Sequence, residues 1–270
     1  MCNLYSMTKS RHEVNRLFKV GHNRAAMFEG RVAIFPGHSA PVVRLAEDSE
    51  RELVTLTWGF VLLRDGYAPK RVTNTRDDKV QTKFWKDSFE KRRCLVPATA
   101  FCEPDEGKPA QWHWFSLKPA DQRPLFAFAG IYRAWKGPVK KDGPNVEQEV
   151  FSFMTTLPNT LTQTINHERS PVLLTSDDQF TTWLTGSAEE AFGLIATSDP
   201  DRMQIVQSGL EKKDLLAAAC QWEYRKVDLS SVPAKQCDVD LLNAVGRDGW
   251  ELVAITANHI AYLKRIRPTA

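Results

Sequence analysis

The residue with the most distinctive chemistry in this chain is Cys2, directly behind the initiator methionine. Methionine aminopeptidases remove Met1 when the next side chain is small, and cysteine qualifies. The product would carry a free amine and a thiol on adjacent carbons. An α-amine with a pKa of about 7.7–8.0 is partly neutral near pH 7, and a thiolate is a strong nucleophile when its surroundings lower its pKa. Such a pair can form an imine with an aldehyde through nitrogen, then close a five-membered thiazolidine through sulfur. An internal cysteine cannot. Taken alone, a cysteine at position 2 is more often accidental, so the assignment depends on the rest of the chain.

Other chemistries find less support. The five cysteines (Cys2, Cys94, Cys102, Cys220, Cys237) include no C-x-x-C pair, and the opening MCNLYSMTKSRHEVNRLFKV lacks the apolar core of an export signal. Reduced thiols in the cytoplasm are expected. The six histidines form no H-E-x-x-H, and no phosphate-cradling glycine loop occurs, so neither a metal nor an organic cofactor is expected. No run approaches the roughly 20 apolar residues of a membrane span. A net charge of +3 permits a local basic groove without arguing for one. Residues 69–93 hold nine Lys or Arg against four Asp or Glu, interleaved with Phe84, Trp85 and Phe89. Basic side chains beside aromatic platforms grip single-stranded nucleic acid without sequence preference. The same pattern reads equally as a solvated helix face with core aromatics.

The elements that must position these residues are mostly strands. Runs at 31–35, 41–45, 52–58, 94–97, 125–132 and 149–156 are β-branched or aromatic and bounded by Gly, Pro or Asn. Helices are expected at 10–21, 159–166 and 176–184, the last opened by Ser176 and two aspartates. Strands do not alternate with long helices, so the expected class is α+β: a curved, mostly antiparallel, barrel-like sheet with peripheral helices. The Gly-, Pro- and charge-rich stretch 134–148 reads as a solvated hairpin loop. A break near 207–220 divides a main domain, 1–212, from a small β-α-β-β domain, 221–268. In the latter, Gly246 and Gly249 are expected to end the helix and turn the chain, with Trp250 and Leu252 facing its core. So small a unit is expected to dock or self-associate.

Four segments then occur in order: MC at the start, VTNTR (72–76), RRCLVPATAFCE (92–103) and NHERSPVLL (166–174). Together they resemble the SOS response-associated peptidase (SRAP) family over roughly residues 1–210. The resemblance implies an active site of Cys2, Asn74, Glu103 and His167, and covalent capture of abasic sites in single-stranded DNA. Glu103 would shuttle protons to the amine and the departing hydroxyl. His167 would assist sugar-ring opening or protonate the imine, and Asn74 would orient amine or sugar oxygens. Arg76 would hold a phosphate, with Lys83, Trp85, Arg92 and Arg93 completing the DNA-binding set. Singly, Asn74-Thr75 also reads as a turn, Glu103 as a loop carboxylate and His167 as a helix end. Their joint occurrence behind Cys2 reverses the odds.

The chain departs from the family pattern at places that line the DNA groove. Leu4 stands where an arginine is usual, Cys102 and Pro104 replace aromatics, and Asp77-Asp78-Lys79 replaces a Ser-Glu-Thr run. The tail resembles a small domain of unknown function through Gly246, Gly249, Trp250, Glu251 and Leu252. Two other functions stay open: a thiol peptidase acting mainly in self-processing, and a non-catalytic single-strand-binding scaffold. Only Met1 precedes Cys2, which leaves no longer propeptide to cut and favours the cross-linker, a cytoplasmic protein that joins the nucleoid when bound.

Overall fold

The computed structural model describes residues 2–25, 28, 30–165, 168–215, 222–231 and 237–266. The chain forms two compact units, residues 1–215 and 216–270. The class is α+β, as expected.

In the first unit the strands Ser39–Leu45, Arg51–Trp58, Arg93–Ala98, Phe126–Pro138 and Asn145–Thr156 are hydrogen-bonded neighbours. Asn145–Thr156 also runs parallel to Arg51–Trp58, with Val150 opposite Thr57 and Phe151 opposite Trp58. That pairing closes the five strands into a ring, which leaves them no free edges. Arg93–Ala98 is buried along its whole length, as a strand covered on both faces must be. One face is covered by the helix Asp177–Thr185, which Ser176 and Gln179 cap reciprocally. Gly130 leaves room for the side chains of the neighbouring strand Arg93–Ala98. A Cβ there would lie 2.8 Å from both Cys94 Sγ and Val96 Cγ2. Beside it the fully buried Trp183 indole donates to the carbonyls of Cys94 and Gly130, at 3.0 and 2.9 Å.

A second sheet carries the strands in the order Met203–Gly209, Trp112–Leu117, Ala100–Pro104, Tyr5–Met7 and Arg31–Ile34. Tyr5 faces the ring and packs edge-on against Trp58, Phe128 and Phe153, with centroids 5.1, 5.5 and 6.3 Å away. Aromatic pairs of this kind add about 0.5–1.5 kcal/mol each beyond burial. At the far end of the unit Asp214 is fully buried, accepting from Ser6 Oγ at 2.8 Å and pairing with Arg123 at 2.6 Å.

Several expectations need correction. The stretch 134–148 is mostly strand: the hairpin pairing continues to Pro138 opposite Asn145, so the loop is short. Its charges sit on exposed strand faces, as in the Lys136–Glu147 pair. The helices are shorter than read, Arg11–Leu17 and Thr160–Gln163.

The second unit has strands Trp222–Asp228, Glu251–Ile255 and Ile260–Ile266, the last in the centre, with a helix at Asp238–Arg247. Its core is Val227, Leu229, Val245, Ala261 and Leu263, with Trp250 packed against them. Leu252 is 48% exposed and does not join it. Gly246 lies inside the helix; the turn is made at Gly249, whose φ of 82° suits glycine.

Trp183→Ala removes a buried indole and orphans two carbonyl contacts, so it should lower stability by about 3–5 kcal/mol. Urea unfolding measures this, and a loss under about 1 kcal/mol would show that the indole does not hold helix and sheet together.

Candidate active site

The pairing of Tyr5–Met7 with Ala100–Pro104 sets the site. Tyr5 lies opposite Phe101 and Ser6 opposite Ala100, and Cys102 N donates to Leu4 O at 2.9 Å. Continued backwards, this register sets Asn3 opposite Glu103 and Cys2 one residue further, where the negative charge of Glu103 is felt at the thiol. Both residues are buried, Glu103 to 1% exposure and Cys2 completely.

Asn74 comes from another sheet. The strand Asn74–Arg76 lies parallel to Asn145–Thr156, with Asn74 opposite Phe153. The preceding Thr73 is fixed through its carbonyl, which accepts from Trp58 Nε1 and Ser152 Oγ, both at 3.0 Å. Thr73 Oγ1 in turn donates to Asn3 Oδ1 at 2.9 Å, tying the start of the chain to the residue before Asn74. Three of the four expected residues are therefore addressed by one connected framework. Asn74 is 4% exposed, and among the described residues neither end of its amide has a hydrogen-bond partner. An orphaned buried polar group costs about 1–3 kcal/mol, so an amide left this way is available to a ligand.

His167 lies outside the described residues. The chain around it is anchored on both sides. Asn159 caps the helix Thr160–Gln163, and Ser170 pairs with Thr156. Arg169 contacts Asp77, just after the Asn74 strand, and donates to Thr155 O at 2.6 Å. This Arg169–Asp77 tie was missed in the sequence. The signal was an arginine in NHERSP and an aspartate in the run that departs from the family pattern.

The Cys2 thiol donates to Leu4 O at 3.5 Å. Burial pushes its pKa well above the ordinary value, and the Glu103 charge pushes the same way. With Met1 attached, the Cys2 nitrogen is an amide.

The expected DNA-binding residues divide. Arg76 is exposed and grips Asp78 through two bonds, at 2.8 and 2.7 Å. Lys83 is exposed. Arg92 is partly exposed, donating to Tyr132 O at 3.2 Å and pairing with Asp87. Arg93 and Trp85 are corrections. Arg93 is 9% exposed and donates to the carbonyls of Phe89, Glu90, Trp183 and Gly186, fastening two helices to the ring. Trp85 is 7% exposed and packs on Phe60 and Phe84, centroids 5.0 and 4.6 Å away, which leaves no ring face for a base. Leu4 is buried with Ala100, Cys102 and Trp114, so the residue standing in place of arginine adds nothing to the surface.

The first unit is an α+β fold that buries Cys2, Asn74 and Glu103. The SOS response associated peptidase (SRAP) family matches residues 1–208, and the chain belongs to that family. Among particular relatives, it is 28% identical over 186 residues to the abasic site processing protein YoqW of Bacillus subtilis, covering 63% of this chain and 70% of that one. It is 27% identical over 177 residues to the abasic site processing protein HMCES of Xenopus tropicalis, covering 57% of this chain and 49% of that one. A solved structure from Bacteroides thetaiotaomicron shares the fold with a TM-score of 0.61 at 22% identity, covering 76% of this chain and 92% of its own. A phage-related protein from Bordetella bronchiseptica does so with a TM-score of 0.57 at 18% identity, over the same shares.

Because burial raises the pKa of Cys2, Cys94 and Cys102, their thiolate fractions near pH 7 are negligible, and all three are enclosed. Iodoacetamide on the folded, Met1-bearing chain should modify the exposed Cys237 and reach these three only on unfolding. Rapid labelling of Cys2, read by peptide mass spectrometry, would contradict the geometry.

Proposed function

We propose that this protein processes abasic sites in DNA, and that it does so by covalently capturing them in single strands through Cys2 once Met1 has left. The observation that carries the reading is the strand pairing whose register sets Asn3 opposite Glu103, with the buried Cys2 next in the chain and within reach of that carboxylate's charge. Asn74, joined to the same start of the chain through Thr73, has a buried amide that is unengaged among the described residues. The names of the relatives, abasic site processing proteins, point to the same class of damage.

The order of steps follows from the electrostatics. A buried thiol next to a carboxylate stays protonated, so the freed α-amine attacks first. It adds to the aldehyde carbon of the ring-opened sugar, and Glu103 takes a proton from nitrogen and gives one to the departing hydroxyl. Water leaves and an imine remains. The sulfur then adds to the imine carbon, the thiol proton passes to nitrogen, and a thiazolidine ring closes. Aldehyde plus aminothiol thus yields adduct plus one water, with no redox change. Asn74 holds a sugar oxygen, and His167 assists ring opening. Arg76 supports the phosphate backbone, since its bond to Asp78 is solvent-exposed, therefore weak, and yields to a phosphate. The peptidase reading is weaker: a thiol held protonated by burial is a poor peptide-bond nucleophile near neutral pH.

Mature protein mixed with a single-stranded oligonucleotide bearing one abasic site should give a denaturation-resistant adduct of their summed mass less one water. Cys2→Ala, or an extension ahead of Cys2, should abolish it, and Glu103→Gln should slow it about 100-fold or more. Equal yields from wild type and Cys2→Ala, by intact mass, would end this account.

A further inference from the structure

The strand Trp112–Leu117 lies against Ala100–Pro104 with Glu103 opposite His113, and against Met203–Gly209 with His113 opposite Ser208. Directly opposed residues in an antiparallel pair project to the same side, with Cβ atoms about 4.5–5.5 Å apart. The alternation agrees. Phe101 and Phe115, two residues away, stack at 5.2 Å in the main core, whereas Cys102 and Trp114 belong to the separate cluster with Leu4. Glu103, His113 and Ser208 thus form a row on one side of three adjacent strands, running from a buried carboxylate to an exposed hydroxyl.

Both nitrogens of the imidazole are held. Nδ1 is 2.9 Å from Ser208 Oγ, and Nε2 is 3.4 Å from Asp105 Oδ2. Asp105 is itself fixed. Its Oδ1 accepts from the Gln111 and Gly107 backbone N–H groups, each at 2.9 Å. Those donors hold its carboxyl below the usual range, so it faces the ring as an anion. This pair of partners suits the imidazole in either charge state. When the ring is neutral, Ser208 O–H donates to Nδ1 and Nε2–H donates to Asp105. When it is protonated, Nδ1–H donates to Ser208 Oγ and the Asp105 bond is unchanged. The two states differ by one proton exchanged with solvent and by the rotation of one exposed hydroxyl. The charged groups facing the ring are Glu103 from across the pair and Asp105. Lys212 lies over Trp112, on the opposite side of the strand.

We propose that His113 is a positioning residue of the capture site: it gains and loses its proton through Ser208, and its charge sets the balance between the acid and base forms of Glu103. The imidazolium favours the carboxylate that accepts the amine proton. The neutral ring favours the acid that protonates the departing hydroxyl. This inference rests on the reading of Glu103 as the proton carrier in capture.

The test is the single-turnover rate of adduct formation on an abasic oligonucleotide, followed from pH 5 to 9 with the full mature chain. Wild type, His113→Gln, His113→Ala, Glu103→Gln and Cys2→Ala are run together. His113→Gln keeps a neutral hydrogen-bonding side chain. It should lose one transition from the wild-type pH–rate profile and fall about tenfold at the optimum, with the final adduct yield unchanged. His113→Ala should be accelerated by added imidazole, which a merely structural role would not produce. Profiles of His113→Gln and wild type that superimpose, with capture still dependent on Cys2 and slowed in Glu103→Gln, would overturn the inference alone. Capture that ignores Cys2 or Glu103 would remove the reading beneath it, and the inference with it.

Discussion

The pairing of residues 5–7 with residues 100–104 is the constraint on which the rest of the molecule depends. A chain terminus ordinarily frays, yet this one runs between two strands, bonded to Ala100–Pro104 on one side and Arg31–Ile34 on the other. Tyr5 supplies the anchor. Its ring fills the gap between the second sheet and the closed ring of strands, surrounded by Trp58, Phe128 and Phe153. One and two residues earlier the chain is still fixed, because Leu4 accepts from Cys102 and Asn3 accepts from Thr73. A backbone held this firmly spares the reacting groups the entropy of finding one another.

Much of the fold was legible because hydrophobic period and turn residues report directly on strands with one partnered face. The runs at 31–35, 52–58, 94–97 and 149–156 all lie in observed strands. The hairpin at 134–148 was not legible, for a physical reason. Gly137, Pro138 and alternating charges signal a turn locally, while the pairing of Lys136 with Glu147 and of Trp135 with Gln148 extends the ladder across both arms. Cross-strand partners of this kind cannot be seen from either arm alone.

The site divides in the same way. Residue types and order single out Cys2, Asn74, Glu103 and His167 as a candidate set, through resemblance to a family, but could not indicate which basic and aromatic residues face outward. Between residues 83 and 93 the same composition serves a surface lysine at 83, a core tryptophan at 85 and a buried arginine at 93 whose guanidinium satisfies helix-end carbonyls. Arg93 behaves as a structural cation because the last carbonyls of a helix lack internal partners. The departures at 77–79 also acquire a role: Asp77 secures Arg169, and Asp78 occupies Arg76. Part of the charge of this stretch is thus engaged in internal ties.

The buried contact of Asp214 with Arg123 and Ser6 determines where the first unit can be said to end. Matching to the family stops at residue 208, and a composition break suggests 212. Either cut would strip a fully enclosed carboxylate from Arg123 and from Ser6 in the strand Tyr5–Met7. Breaking a buried pair in this way costs about 3–5 kcal/mol. The few residues after the last strand of the sheet are thus a clasp rather than a linker, and a fragment meant to stand for the first unit must carry them.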